Sequence, residues 1–245
     1  MHRLELSLPD PAKNLALDEA LLRQAELDPQ RPEYLRLWQF SRYTVILGRG
    51  SCIEQEVNVA RCRTDDIPVV RRSSGGATVV GGPGCLMYSL ILNRERRPQL
   101  HTVSAIHDYV LAKIVAGSER ASVSLQAAGT SDLCLDAGPG NAVRKVSGNS
   151  LRIRPDYILY HGTFLYDFRL NLLAELLNMP PRMPDYRRER DHRHFVVNLP
   201  AGRATLREML VQTWKASEIV TNWPMDATQR LAREKYATRQ WTWGR

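Results

Sequence analysis

The feature that most restricts the fold is one eight-residue, almost wholly apolar run, Cys85-Leu86-Met87-Tyr88-Ser89-Leu90-Ile91-Leu92. A run of that length reads as a buried strand, and it falls far short of the roughly 18 apolar residues that cross a bilayer. No longer apolar run occurs, so no membrane partner is expected. Around it, strand-sized and helix-sized patterns alternate irregularly. Strands are predicted at Leu4–Leu8, Leu35–Trp38, Thr44–Leu47, Val69-Val70 and Thr78–Val80, and further on at Ser122–Leu125, Asp132–Leu135, Val143–Val146, Leu151–Ile153 and Tyr157–Leu159. Helical spacing covers about Ala12–Glu26, Glu54–Arg63, His101–Ala116, Leu170–Leu177, Ala204–Ser217 and Asp226–Tyr236. This order has no strict βαβ repeat, so it predicts an α+β fold, mixed β-sheets flanked by helices, rather than a doubly wound parallel sheet. No repeat or low-complexity linker divides the chain, and its 245 residues read as one domain, 1–245.

Composition narrows the function classes. Hydrophobic residues at 43% and charged residues at 24% exclude an extended disordered chain. The start, Met1-His2-Arg3-Leu4-Glu5-Leu6, lacks the apolar core of a secretory signal, so a cytoplasmic protein is expected. Cys52, Cys62, Cys85 and Cys134 form no CxxC pair, which indicates neither a structural zinc site nor a disulfide framework and leaves any metal unassigned. The net charge is +8, and only five of the 34 basic residues are lysine. Each lysine therefore merits inspection, because an ammonium and a guanidinium do different chemistry. Aromatics at 7% do not interleave with the basic Arg187–His194 run, so nucleic acid is not an expected partner and that run reads as a solvated, salt-bridged segment.

Three constellations stand out. Arg71-Arg72-Ser73-Ser74-Gly75-Gly76-Ala77-Thr78 puts guanidiniums, hydroxyls and glycines between two strand candidates. Glycines admit a ligand close to the backbone and let N–H groups converge on an anion, so the segment reads as an anion-binding loop; a plain tight loop is the alternative. It is neither a P-loop nor a dinucleotide fingerprint. In Arg144-Lys145-Val146-Ser147-Gly148-Asn149-Ser150, a lysine at a strand end precedes a small-residue turn. Its ammonium could reach into a cleft and stabilise developing negative charge, or simply flank a surface hairpin. His161-Gly162-Thr163 closes a strand begun near Tyr157, and the histidine reads equally as a structural residue.

Taken in order, these motifs resemble the catalytic domain of lipoate–protein ligases, in the biotin/lipoate A/B ligase family. Asn14-Leu15-Ala16-Leu17-Asp18-Glu19 resembles the first helix, and Leu37-Trp38 with Thr44-Val45-Ile46-Leu47-Gly48-Arg49 the strands entering the site. Arg71-Arg72-Ser73-Ser74-Gly75-Gly76 is similar to the Arg-Arg-x-Ser-Gly-Gly loop that wraps an acyl-adenylate. Asp132-Leu133, the Lys145 segment, His161-Gly162-Thr163 and the Lys235-Tyr236…Trp241…Trp243 end follow at family spacing. The resemblance implies a two-step reaction. Lipoate or octanoate reacts with Mg2+-bound ATP to give acyl-AMP, and the acyl group then passes to a lysine of an acidic lipoyl-accepting carrier domain. Lys145 would be the catalytic residue. Arg71, Ser74, Gly75, Gly76, Ala77, Thr78, Val79, Asp132, Ser147 and Gly148 would hold the nucleotide and adenylate with it. Trp38, Val70, His161, Gly162 and Thr163 would line the lipoyl site.

The chain departs from the family pattern in two places. Ala77-Thr78-Val79-Val80-Gly81-Gly82 stands where a third glycine and a His-Asp pair are usual. The chain also ends where the catalytic domain ends, with no C-terminal accessory domain, which raises a separate small subunit as a partner. Rival readings are an ATP-independent octanoyl or lipoyl transferase using a cysteine, for which Cys134 lies nearest the Lys145 segment; a biotin–protein ligase, matched only by Gly48-Arg49-Gly50-Ser51; and a non-catalytic carrier-binding protein.

Overall fold

The structure is a computed structural model describing residues 1–28, 30, 32–136, 138, 142–181 and 183–244. Eight strands form a mixed sheet in the order β11 (Glu218–Ile219), β1 (His2–Glu5), β2 (Tyr34–Trp38), β6 (Cys85–Asn93), β10 (Tyr157–Leu165), β9 (Arg144–Ile153), β8 (Asp132–Leu135) and β7 (Leu125–Ala128). β1 runs parallel to both neighbours and the other pairs are antiparallel. A second sheet has β3 (Thr44–Leu47) between parallel β4 (Val69–Arg71) and antiparallel β5 (Val79–Gly81). Helices α1 (Pro11–Leu27), α2 (Ile53–Glu56), α3 (Val59–Thr64), α4 (Val103–Ser118), α5 (Asn171–Leu176), α6 (His192–Phe195), α7 (Arg203–Trp214), α8 (Met225–Leu231) and α9 (Arg239–Trp243) complete the α+β fold. Among the described residues, no helix is long and apolar enough to cross a membrane.

The apolar run becomes β6, which is central and buried throughout, with all nine of its residues in register with β10. Its alternation decides what covers each face. Leu86, Tyr88, Leu90 and Leu92, with Leu35 and Leu37 of β2 and Ile158, Tyr160 and Phe164 of β10, pack under α4 and α7. On the opposite face, Ile91, Tyr34, Tyr157 and Leu159 meet α1, while Trp38, Met87 and Leu165 join the core beneath the small sheet. Arg36, Ser89 and His161 share this second face by the same period of two. Helix α1 starts where Asp10 accepts a 2.8 Å bond from the Ala12 amide and Pro11 presets the first turn.

Several predicted boundaries shift, each for a local reason. Val143–Val146 and Leu151–Ile153 are one strand, β9, because the intervening small residues pair on both sides: Gly148 with Asp132, and Asn149 and Ser150 with Gly162 and His161. Lys145 therefore lies within a strand and not before a hairpin turn. The strand begun at Tyr157 continues to Leu165, so His161-Gly162-Thr163 is mid-strand. Ser122, at φ 53°, ends a tight turn, which delays the predicted Ser122–Leu125 strand to Leu125–Ala128. The Glu54–Arg63 helix breaks at Val57-Asn58, and Asn58 caps α3 by accepting from the Arg61 amide. The helix ending at Tyr236 is α8 followed by a π turn, Ala232–Tyr236.

Candidate active site

The loop after β4 is held by its own arginines. Arg71 is fully buried, and its guanidinium donates to the carbonyls of Gly48 (2.7 Å), Ser51 (2.8 Å) and Thr242 (2.8 Å). The Trp241 indole returns a bond to the Arg71 carbonyl at 2.8 Å, so α9 is tied to the root of the loop. Arg72 turns the other way and donates to Ser74 Oγ (3.1 Å), the Ala77 carbonyl (2.9 Å) and the Ile46 carbonyl (3.2 Å). Five donors in one plane suit a guanidinium to this fan of acceptors. Glycine is required where the loop crosses its neighbour: a Cβ at Gly48 would lie 1.8 Å from the Gly76 carbonyl oxygen, and Gly76 itself has φ +84°. The far side is fixed by Glu56, whose Oε2 accepts from the Thr78 amide and hydroxyl (both 2.8 Å) and from Ser51 Oγ (3.0 Å).

Lys145 projects from β9 over Gly148. A Cβ at Gly148 would stand 3.0 Å from Nζ, close enough that the end of the lysine side chain would have to shift. The ammonium pairs with Asp132 Oδ1 at 2.7 Å, and Tyr186 donates to Asp132 Oδ2 at 2.6 Å. Burial, reinforced by the Asp132 charge, pushes the Tyr186 phenol far above its ordinary range, so it remains a donor. The third predicted element, His161, points both ring nitrogens into protein: Nδ1 lies 3.3 Å from Asp18 Oδ2 and Nε2 lies 2.5 Å from Ser74 Oγ. Gly162 follows because the Asn149 amide and the Tyr88 ring occupy the place of its missing Cβ.

These elements enclose one cavity of about 460 Å3. Leu15, Trp38, Ile46, Met87, Leu165 and Leu173 make an apolar wall. Arg72, Gly76, Ala77 and Thr78 on one side, and Asp132, Lys145, Ser147 and Gly148 on the other, make a polar end. Val79, His161, Gly162 and Thr163 also border it. Thus most residues singled out in the sequence converge, and four do not border the cavity. Val70 packs in the core of the small sheet, Arg71 is spent on carbonyls, Ser74 is buried behind His161, and exposed Gly75 offers its carbonyl to Ser150 Oγ at 2.7 Å. Sequence reasoning missed Arg72 as the loop-forming arginine, although strand alternation separates it from Arg71. It also missed Glu56 and Met87, which carry no local signal. The Arg187–His194 run is not simply solvated: Arg187 is buried, stacks 4.7 Å from the Phe195 ring and borders the cavity. Within the run, ring faces and carbonyls satisfy Arg187 and Arg190, while Arg188, Glu189, Asp191, Arg193 and His194 are exposed and Asp191 pairs with His194, as expected of a solvated segment.

None of the four cysteines borders the cavity. Cys134 is fully buried, and burial pushes its thiol up to about 11. Among the described residues, no three His, Cys, Asp or Glu side chains cluster closely enough to hold a metal ion.

Comparison with known proteins accords with this geometry. The fold matches the bi-partite lipoate protein ligase of Thermoplasma acidophilum at a TM-score of 0.83, with 20% identity over 99% of this chain and 96% of that one. It matches protein Ta0514 of T. acidophilum with bound lipoic acid at 0.82, with 19% identity over 100% and 99% of the two chains. A lipoate-protein ligase A bound with ATP matches at 0.81, with 19% identity over 99% and 98%. At these identities the likeness establishes the fold. Residues 10–220 match the model of the lipoyl protein ligase A/B catalytic domain, a span holding the loop, Lys145 and His161, and the chain belongs to that family.

Proposed function

We propose that the protein is a cytosolic, ATP-dependent lipoate–protein ligase. The observation that carries this reading is the two-part cavity: an apolar wall continuous with a polar end that holds an ammonium, with no thiol on its surface. An acyl chain with a terminal carboxylate, lipoate or octanoate, suits that shape. In the first step a carboxylate oxygen attacks the α-phosphorus of ATP, and pyrophosphate leaves. In the second the amine of a carrier-domain lysine attacks the acyl carbon, the C–O bond to AMP breaks, and the amine's proton passes to solvent. Lys145 would neutralise charge in both steps, and the Gly76–Val79 backbone would border the nucleotide. Mg2+ would arrive on the ATP phosphates, with Asp132 and Glu56 the carboxylates that border the cavity. The ATP-bound and lipoic-acid-bound relatives support the same substrates here. The chain's net charge of +8 favours an acidic lipoyl-accepting domain. The bi-partite relative brings a separate small subunit into the proposal for the adenylation step.

Lipoate-dependent exchange of pyrophosphate into ATP tests the reading. Exchange is expected in the wild type and in Cys134→Ser, and its loss in Lys145→Ala. Failure of exchange alongside transfer from preformed lipoyl-AMP would assign the first step to a second subunit. Failure of both, with acyl transfer from a carrier thioester, would replace the ligase by a transferase.

A further inference from the structure

A buried chain of side chains runs from α1 to the loop. Arg36 Nη1 donates to Asp18 Oδ1 at 2.7 Å, Ser89 Oγ donates to Asp18 Oδ2 at 2.8 Å, and Asp18 Oδ2 faces His161 Nδ1. His161 Nε2 then meets Ser74 Oγ, which in turn accepts from Arg72 Nε. Serine, histidine and aspartate in this order form the nucleophilic triad of many hydrolases. Here that role fails on access: Ser74 is 1% exposed, does not border the cavity, and already accepts from a guanidinium.

The same geometry has another consequence. An ionised carboxylate only accepts, so Asp18 requires the proton on His161 Nδ1. In a neutral imidazole Nε2 is then the acceptor, Ser74 turns its O–H towards the ring, and its lone pairs face Arg72. Arg72 also holds the Ala77 carbonyl, so the setting of Ser74 bears on the loop that closes the polar end of the cavity. Burial works against the Asp18 charge, but the Arg36 guanidinium and the bonds from His161 and Ser89 outweigh it and hold its carboxyl below the usual range.

We propose that Asp18 is a positioning residue of the site: it fixes the tautomer of His161, and through His161 and Ser74 it sets the loop that receives the anionic part of the substrate. The kinetic part of the test rests on the ligase reading, whereas the spectroscopic part does not. Long-range 1H–15N correlation on the full-length protein with labelled histidines reads the tautomer directly, with His161 assigned among the six histidines by His161→Gln. The expected result is a proton on Nδ1 and a bare Nε2, kept in Ser74→Ala and lost in Asp18→Asn. A proton on Nε2 in the wild type, or an unchanged tautomer in Asp18→Asn, would overturn the proposal. Arg36 retains the Asn14 side chain (2.7 Å) and the Leu6 carbonyl (3.0 Å) as acceptors, which favours folding of Asp18→Asn. The wild-type measurement decides the first point even if that variant does not fold. In turnover, Asp18→Asn and Ser74→Ala should each raise KM for ATP about tenfold with kcat within about twofold, and the double variant should be no worse than either single one. Additive effects would mean that Asp18 and Ser74 act separately. If the protein turns over no ATP, the ligase reading fails and the tautomer result still stands.

Discussion

Lys145 and Cys134 are adjacent across the β8–β9 ladder, yet their surroundings give them opposite chemical prospects. The lysine ammonium reaches the cavity and meets a carboxylate, whereas the thiol is sealed and pushed up to about 11. At pH 7 almost no thiolate exists there to act as a nucleophile. We therefore expect Cys134→Ser to keep kcat/KM within about twofold, since the change is nearly isosteric and no cavity contact is lost. Lys145→Ala should lower kcat/KM by roughly 10²–10³-fold, the usual cost of removing one preorganised charge-stabilising donor. Steady-state kinetics on the two variants checks both, and loss of activity in Cys134→Ser would restore the transferase. The residues legible in the sequence were those whose types are uncommon together: the Arg-Arg-Ser-Ser-Gly-Gly loop, one of only five lysines in an arginine-rich chain, and the His-Gly pair. Which arginine faces the cavity depended on strand alternation, and Glu56 depended on a contact with Thr78, 22 positions away, that no local pattern encodes.

At the level of elements, the π turn and α9 act as a clamp on the loop. Glu19 of α1 is buried and accepts from Lys235 Nζ and Tyr236 Oη, both at 2.6 Å, with Arg152 at 3.1 Å. Burial opposes its charge, but these donors and cations hold its carboxyl at about 2, below the ordinary value of 4.5. A folded value below the unfolded one gives stability that is complete above about pH 4.5 and is lost as pH falls through about 2. The full contribution is about 3 kcal/mol. Urea midpoints of wild type and Glu19→Gln should therefore differ most at pH 7 and converge towards pH 2; a gap independent of pH would contradict this. The segment from Met183 to Phe195 is latched differently, by the Tyr186 bond to Asp132. Tyr186→Phe should cost about 1 kcal/mol and raise hydrogen exchange in that segment without affecting β6 or β10. Strand runs such as Thr44–Leu47 and Asp132–Leu135 were legible to the residue because they are short apolar runs bounded by polar or turn residues. β9 was not, because small residues that look like a turn pair there with strands on both sides.

Over the whole molecule, burial by α4 and α7 on one face of the large sheet leaves the other face to α1 and the small sheet, and the cavity opens where these last two meet. The α+β class followed from the irregular order of strands and helices, but this seam did not, since it depends on which face each strand residue takes. A net charge of +8 acting on an acidic partner predicts association that weakens with ionic strength: kcat/KM for the acceptor domain should fall between 50 and 500 mM salt, roughly in step with the shorter screening length, while KM for lipoate stays level. The most direct test of the central claim is the intact mass of an acidic lipoyl-accepting domain after incubation with this protein, lipoate and Mg2+-ATP. The account predicts one lipoyl adduct that requires ATP and is absent with Lys145→Ala. An adduct formed without ATP from an acylated carrier, and retained in Lys145→Ala, would contradict it.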